Sequence, residues 1–452
     1  MWCKRAIIFF STCLLLCSCT PKLKVSPNIK SCVLNGEIEK AKARTKRHLP
    51  KVASHKARDE AAWALPTLAL LETVQGDHAL ADKHWRQLQD HYTLLGVKTL
   101  KFPSTYYPYQ YESDLAKVYR IFALQLNPDH HCQDRAQNSL KEICSITPTQ
   151  TSARSRKIFS LLHYMRSCQL SHQGHYQAAK QHLFEASDHL DIALINLELN
   201  HLARQSLKLE KSSESDPSDL EITKSTSSIP TASKLLIFIH QGIIPPITTH
   251  YSPSTVATKQ EVKQAIDDIL APYKQAEVDN LWSSIRFVPH PQFSNKNNTQ
   301  HLQYKITLDE RAQQLYEALD ISEIALDELE ERTPGYIARN IAQLQLSKMG
   351  TKKRFGQLSE LHTMLADTAL FIANSRTHAD CRHWVNLPEK ISICTCEVSP
   401  GEHVITLQEL TTGKQHKHQF ITQVKDLCFL HVFFSSPAMV RFVESTLQTN
   451  SS

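Results

Sequence analysis

Seven side chains in the last quarter of the chain, His378, Cys381, His383, Cys394, Cys396, His416 and His418, are of the types that hold a transition metal. Zinc sites usually carry their ligands at Cys-x-x-Cys or His-x-x-x-His spacing, and this set repeats neither. On a strand Cys394 and Cys396 share one face. They read as small core residues, or one of them as a disulfide partner of Cys428 on a neighbouring strand, ahead of a metal pair. With 24 histidines in the chain, a local cluster arises by chance. Nucleophilic chemistry has no frame either, because Gly-x-Ser-x-Gly is absent. The carboxylate pairs Asp327-Glu328 and Glu330-Glu331 read as solvated helix faces. Neither Gly-x-Gly-x-x-Gly nor Gly-x-x-x-x-Gly-Lys-Ser/Thr occurs, and ten glycines in 452 residues is well below the usual share of about 7%. The sequence names no catalytic residue, metal ligand or cofactor, and the chain reads as a non-enzyme. The alternative is a metal- or small-ligand-binding protein, or an enzyme, that uses the Cys/His-rich C-terminal region.

A different chemistry is written at the start. Lys4 and Arg5 precede an apolar run from Ala6 to Cys17, the layout of a secretory leader and too short to span a bilayer as a mature helix. Leu16-Cys17-Ser18-Cys19 resembles the bacterial lipobox, in which the thiolate of the cysteine takes a diacylglycerol and becomes the new N-terminus. Cys19 is therefore the expected lipidation site and membrane anchor, and Thr20 after it, in place of an aspartate, resembles outer-membrane sorting. Asp129-His130-His131-Cys132 spells the signature of protein acyltransferases. Those enzymes span the membrane several times within a zinc-binding cysteine framework, which this sequence lacks, so the match is chance.

Composition is that of an ordinary globular protein, 41% hydrophobic, with length for two or three cores. Loss of Lys4 and Arg5 with the leader takes the formal charge from +6 to +4, too mild to argue for nucleic acid. Eight cysteines remain after the leader and Cys19: Cys32, Cys132, Cys144, Cys168, Cys381, Cys394, Cys396 and Cys428. In an exported protein that permits a bridge or two, or none, with no pairing assignable.

The elements follow in order. Residues 19–58 read as anchor and tether leading into a first helix, with Lys40, Lys42, Arg44, Lys46 and Arg47 lying either against anionic headgroups or on a solvated face. From Ala61 the pattern turns helical, and Gly76-x-His78-x-x-Ala81-x-x-x-Trp85-x-x-Leu88 returns 98 residues later as Gly174-x-Tyr176-x-x-Ala179-x-x-x-Leu183-x-x-Ala186. The glycine permits a tight turn between helices, and the alanine is small because two helices cross there. Both copies look like the tetratricopeptide hairpin. A helix pair without the glycine, Tyr111–Leu126 and Cys132–Ile143, lies between them, and a stretch from Leu190 to Leu202 closes the series. The fold class expected is an α-helical tetratricopeptide-like solenoid over 59–208 followed by an α+β domain with a largely antiparallel sheet over 234–440. A Ser-rich linker occupies 209–233, and 441–452 reads as a tail.

In the second half Leu235–Ile239 reads as a buried strand. Lys259–Leu281 reads as a helix, with strands at Ser284–Val288 and His301–Thr307. Thr307-x-x-Glu310 reads as a capping box, Thr333-Pro334 as a second helix start and Gly350 as a stop, which gives three helices between 308 and 377. Strands follow at Lys390–Val398, His403–Leu410, His418–Val424 and Leu427–Phe434.

Ala379-Asp380-Cys381-Arg382-His383-Trp384, with Leu387-Pro388 and Pro400-Gly401-Glu402-His403 after it, resembles an uncharacterised family of bacterial lipoproteins. Members share a tetratricopeptide-like N-terminal half and an Ala-Asp-Thr-Arg-Ser-Trp motif before a Leu-Pro and a β-hairpin. Thr333-Pro334-Gly335-Tyr336-Ile337-Ala338-Arg339 looks like that family's second shared block. The resemblance implies architecture and location and no activity, and this chain departs from the motif at Cys381 and His383. Physically, Asp380 and Arg382 are placed to pair and Trp384 to wedge under the hairpin, fixing the helix-to-sheet junction. Alternatively Asp380, Arg382, Trp384, Pro388 and Arg339 form a partner site, since Trp and Arg anchor interfaces. The expected function is a lipid-anchored periplasmic scaffold or adaptor that binds an envelope protein through its helical repeats.

Overall fold

The computed structural model describes residues 27–49, 55–97, 109–146, 151–213, 233–253, 287–294, 303–355, 383–424 and 426–447, with the single residues 258, 260 and 381. The lipobox with Cys19, the linker residues 214–232, the expected helix 259–281 apart from Gln260, residues 356–377, His378, Asp380 and Arg382 lie outside them. Among the described residues no helix is long and apolar enough to cross a membrane.

The N-terminal half is helical. Its elements are α1 (Pro27–Leu34), α2 (Ile38–Lys46), α3 (His55–Gln75), α4 (His78–Val97), α5 (Gln110–Gln125), α6 (His130–Cys144), α7 (Ala153–His172), α8 (Tyr176–Ser187) and α9 (Ile192–Ser213). Three of the turns are built alike. Gly36, Gly76 and Gly174 hold φ of 73°, 83° and 81°, values at which a side chain is strained. In each, the amide after the glycine reaches back five residues: Glu37 N to Cys32 O, Asp77 N to Glu72 O and His175 N to Leu170 O, at 2.8 to 2.9 Å. This is the hydrogen-bond pattern of a Schellman helix end. The alanine five places after each glycine, Ala41, Ala81 or Ala179, is fully buried. Gly36-x-Ile38-x-x-Ala41 is thus a third copy of the turn, inside the stretch expected to be tether.

The C-terminal part follows as β1 (Ser233–Gln241), β2 (Ile247–Pro253), β3 (Phe287–Phe293), β4 (Tyr304–Leu308), β5 (Arg311–Ala312), β6 (Tyr316–Asp320), α10 (Ile321–Phe355), β7 (Lys390–Val398), β8 (Gly401–Glu409), β9 (Gln415–Thr422), β10 (Leu427–Ser436) and β11 (Met439–Leu447). The main sheet has the order β11-β10-β1-β7-β6, with β1 and β10 parallel and the other pairs antiparallel. A second sheet, β5-β4-β8-β9, is antiparallel, and β2 pairs with β3.

The main sheet is covered on both faces, which is why β1 reads as an unbroken apolar run. Leu235, Ile237 and Ile239 point with Cys428, Leu430, Val432 and Phe434 into a core shared with Ile306, Leu308, Ile405, Leu407 and Phe420 of the second sheet. Leu236, Phe238, Phe429 and Phe433 point the other way, into one continuous core with the helices. The two halves therefore share a core instead of standing as bead and string.

Several sequence expectations change. Residues 304–308 are strand, and Asp309 and Glu310, at φ of 48° and 66°, form a tight turn into β5 where a helix start was expected. The Asp309 carboxylate accepts the Val404 amide at 2.9 Å, so its hydrogen bond serves the turn. Pro334 lies inside α10 and Gly350 does not end it, so 321–355 is one helix. Pro334 cannot donate to the Glu330 carbonyl, but Glu330 is exposed, where water can serve. Residues 441–447 of the expected tail belong to edge strand β11. The tether contains α1 and α2, whose Ile29, Val33, Ile38 and Ala41 enter the main core. Lys42 and Arg44 of the basic run are engaged there, Lys42 with Gln75 at 2.6 Å and Arg44 with the Asn28 carbonyl at 2.7 Å.

Candidate functional site

Two residues singled out in the sequence, Trp384 and Glu328, meet at the N-terminus of α5. Glu112 sits at its third position, 1% exposed, and its carboxylate accepts the Tyr109 amide at 3.2 Å, a capping bond to the helix start. Its other oxygen accepts the backbone amide of Trp384 at 2.8 Å. Trp384, 1% exposed, donates its indole N–H to Asn386 Oδ1 at 2.8 Å, and Asn386 donates to the Thr67 carbonyl of α3 at 3.2 Å. The indole meets Trp85 and Tyr119 edge-on, each at 5.4 Å between ring centres. Trp384 is thus a wedge between α3, α4, α5 and the start of β7, and buried Pro388 leads the chain from it into the strand.

The part of α10 just before the Thr333–Arg339 block reaches the same point. Glu328 of α10 accepts the amides of Gln110 and Tyr111 at 2.6 and 2.9 Å, placing a carboxylate on the positive end of α5. Its burial corrects the expectation of a solvated acidic face. Arg332 pairs with Glu328 and lies over the Tyr109 ring at 5.1 Å. Arg339 lies further along α10, with its side chain outside the described set.

Beneath the wedge runs a buried polar chain. Tyr119 meets His240 Nδ1 at 3.1 Å, and His240 Nε2 meets His431 Nδ1 at 3.0 Å. If Tyr119 donates to His240 and His240 to His431, both bonds form with neutral rings, and His431 Nε2–H remains without a partner. The reverse direction would strand the phenol proton as well. His240 and His431 are 1% and 0% exposed, and Phe122, Phe238 and Phe433 pack against them. Burial, reinforced by His431, holds His240 well below the ordinary histidine range, and burial lowers His431 to about 3. Closed to solvent and neutral, the chain orients the helices on the sheet.

A further polar link lies nearby, where Tyr164 donates to Glu198 at 3.0 Å and Lys234 of β1 pairs with the same carboxylate at 2.5 Å. These links join α5, α7 and α9 to the C-terminal part.

The repeat residues occupy the hairpins. Ala81 and Trp85, and Ala179, Leu183 and Ala186, are buried where helices cross, and Tyr176 packs against the same core. Asp129 is the N-cap of α6, accepting the His131 amide at 3.1 Å, which gives the Asp-His-His-Cys tetrapeptide a helix-capping role. The C-terminal donors are dispersed. Cys394 and Cys396 lie in the core between the sheets, His383 is buried and bonds the Cys381 carbonyl at 3.0 Å, and His418 pairs with Glu444 at 3.0 Å. All eight described cysteines are free thiols. The described donors close enough to share an ion lie elsewhere, at Cys144, His163 and His182. Sequence reading passed over them because each comes from a different helix, although their even spacing of 19 residues was a signal.

Comparison with protein-family models finds no match, and comparison with curated proteins and with solved structures finds none either.

Proposed function

We propose that this chain is a lipid-anchored scaffold or adaptor of the bacterial envelope, tethered through Cys19 and facing the periplasm, that binds an envelope protein through a tetratricopeptide-like stack of helical hairpins. The observation that carries it is the threefold use of one hairpin turn, at Gly36, Gly76 and Gly174, with the same backbone bonds and the same buried alanine. Repeated hairpins each leave an apolar face that a neighbour must cover, and stacks of them offer extended surfaces to partners. The face bearing Trp85, Tyr119 and Phe122 is already taken by the chain's own sheet and the Trp384 loop. Partner contact therefore falls to the outer helix surfaces, where Phe184 and Ile192 are 53% and 64% exposed.

The test is crosslinking in the native envelope followed by mass spectrometry, comparing the intact protein with Cys19→Ser and with Phe184→Glu/Ile192→Lys. Removing 59–208 is unsuitable, since it would uncover Phe238, Phe429 and Phe433. A defined partner captured by the wild type and lost with the surface variant is expected, as is release of Cys19→Ser from the membrane fraction. A folded, lipidated protein that captures nothing specific would sink the adaptor reading. A membrane fraction unchanged by Cys19→Ser would sink the anchor.

A further inference from the structure

Three helices of the hairpin series bring a thiol and two imidazoles together. Cys144 is the last residue of α6, His163 lies in the middle of α7, and His182 lies in α8. One ligand atom from each lies within 4.8 Å of the others. The two Nδ1 atoms are 3.2 Å apart, and the rings are inclined at 51°. A tetrahedral zinc ion with Zn–N of about 2.0–2.1 Å has an N···N edge of roughly 3.3 Å, so the two nitrogens already stand at the separation one ion requires, and the ion would replace the hydrogen bond that the two rings share. Cys144 is buried and both histidines are half-buried.

We propose that Cys144, His163 and His182 bind one zinc(II) ion, with water in the fourth position. Two nitrogens and a sulfur are the donor set zinc favours, and three protein ligands with an open position are the arrangement of sites where zinc keeps a water. Supporting charges fit a cation that carries a thiolate. The C-terminal carbonyls of α6 present the negative end of that helix beside Cys144, and Glu185 lies near His182. Arg166 is close to both Cys144 and His182, and it offsets the thiolate while opposing an uncomplexed cation. Without metal, burial keeps His182 neutral, down to about 4, and pushes the Cys144 thiol up to about 12. Binding then takes the form of a thiol and Zn²⁺ giving a zinc thiolate and a proton released to water, with no change of oxidation state. The ion would tie α6 of one hairpin to both helices of the next.

The full-length protein is stripped with a chelator, titrated with Co²⁺ and then displaced with Zn²⁺, with bound metal measured by elemental analysis. Expected are one ion per chain, a thiolate-to-cobalt charge-transfer band with intense tetrahedral d–d bands, and proton release on binding. Cys144→Ser should abolish the charge-transfer band, and His182→Gln should weaken affinity by more than the roughly 10–100-fold typical of losing an outer-shell partner. Cys394→Ser/Cys396→Ser should leave both unchanged. Circular dichroism checks folding of each variant. Folded wild type that retains no metal and gives no cobalt band overturns the proposal without recourse to any variant. So does a band that survives Cys144→Ser or disappears with Cys394→Ser/Cys396→Ser.

Discussion

The two faces of the main sheet are buried by different physics. Toward the second sheet, Ile237, Ile239, Leu430 and Val432 meet Ile405 and Leu407 in a core of aliphatic, aromatic and thiol side chains. Toward the helices, the same strands carry Lys234, His240 and His431, each matched to a partner on a helix or neighbouring strand. Apolar burial is strong and non-directional, contributing about 25 cal/mol per Å², and it accepts many side-chain arrangements. Buried polar groups add little net stability, and each costs about 1–3 kcal/mol when its partner is missing. The sheet-to-sheet face therefore supplies adhesion. The helix face selects one docking arrangement out of many that apolar contact alone would allow.

The sharpest way to break that contrast is Trp384→Ala. It removes a fully buried indole that touches Trp85 and Tyr119, with an expected loss of about 3–5 kcal/mol. Ile237→Val, on the other face, should cost about 0.5–1.5 kcal/mol. Urea midpoints at unchanged slope measure both. Equal losses would mean that the wedge is no more than ordinary packing. Next comes Glu328→Ala, which leaves Arg332 and the Gln110 and Tyr111 amides without their acceptor. About 2–3 kcal/mol is expected, the cost of stranding buried donors. Asp327→Ala, one residue earlier on the same helix, should cost less than about 0.5 kcal/mol if it behaves as an ordinary surface substitution.

Acid should act through the helix face. His240 and His431 are neutral when folded, their affinity for protons lowered by burial, to about 3 for His431. An unfolded histidine titrates near 6.5. Above that value neither state holds the extra proton and the pair contributes no pH dependence. As pH falls from about 6.5 toward 3, the unfolded chain binds protons that the folded chain refuses, so stability falls by up to about 1.4 kcal/mol per pH unit per group. Replacing the whole chain at once, Tyr119→Phe with His240→Leu and His431→Leu, leaves no orphaned partner and should flatten this part of the profile. An unchanged acid slope would place the sensitivity in other groups, such as His383, which burial lowers to about 4.

The same contrast explains what could be read from sequence. Leu235–Ile239 announces a strand covered on both faces, because nothing polar interrupts it. The hairpins at Gly76 and Gly174 announce themselves by repeating a pattern. Strand β11 did not, because an edge strand is half exposed and Arg441 and Glu444 dilute its alternation. The turn at Asp309-Glu310 was hidden because Thr307 and Glu310 fall at capping-box spacing, and only the pairing of Thr307 with Thr406 decides for strand. Trp384 was expected to wedge under the β-hairpin, and it sits instead among α3, α4 and α5. Its partner Glu112 was not legible, since a bond across 272 residues leaves no local signal. The same holds for Tyr119, His240 and His431, which stand on three separate elements and have no mutual spacing to recognise.

Three glycine variants separate the three copies of the turn. Gly76→Ala and Gly174→Ala each force a side chain into the left-handed region with open space around it, so backbone strain alone acts, about 1 kcal/mol. Gly36→Ala carries that strain and also brings its Cβ to 2.8 Å from the Ala438 carbonyl oxygen, in the turn between β10 and β11. Backbone cannot swing aside as a flexible side chain would, so the first hairpin must lift from the sheet edge. Lifting would also pull on the bond from Ser436 to the Leu34 carbonyl. An added cost of about 1–3 kcal/mol, in the range of overpacking, is expected at Gly36 alone. Hydrogen exchange should then show faster opening of β11 in Gly36→Ala and not in the other two variants. If all three variants lose the same stability and β11 stays protected, the first hairpin is a repeat unit merely resting near the sheet. A selective loss means that the N-terminal hairpin and the C-terminal edge strand form one cooperative unit, closing the helical array onto the sheet at the end of the chain farthest in sequence from it.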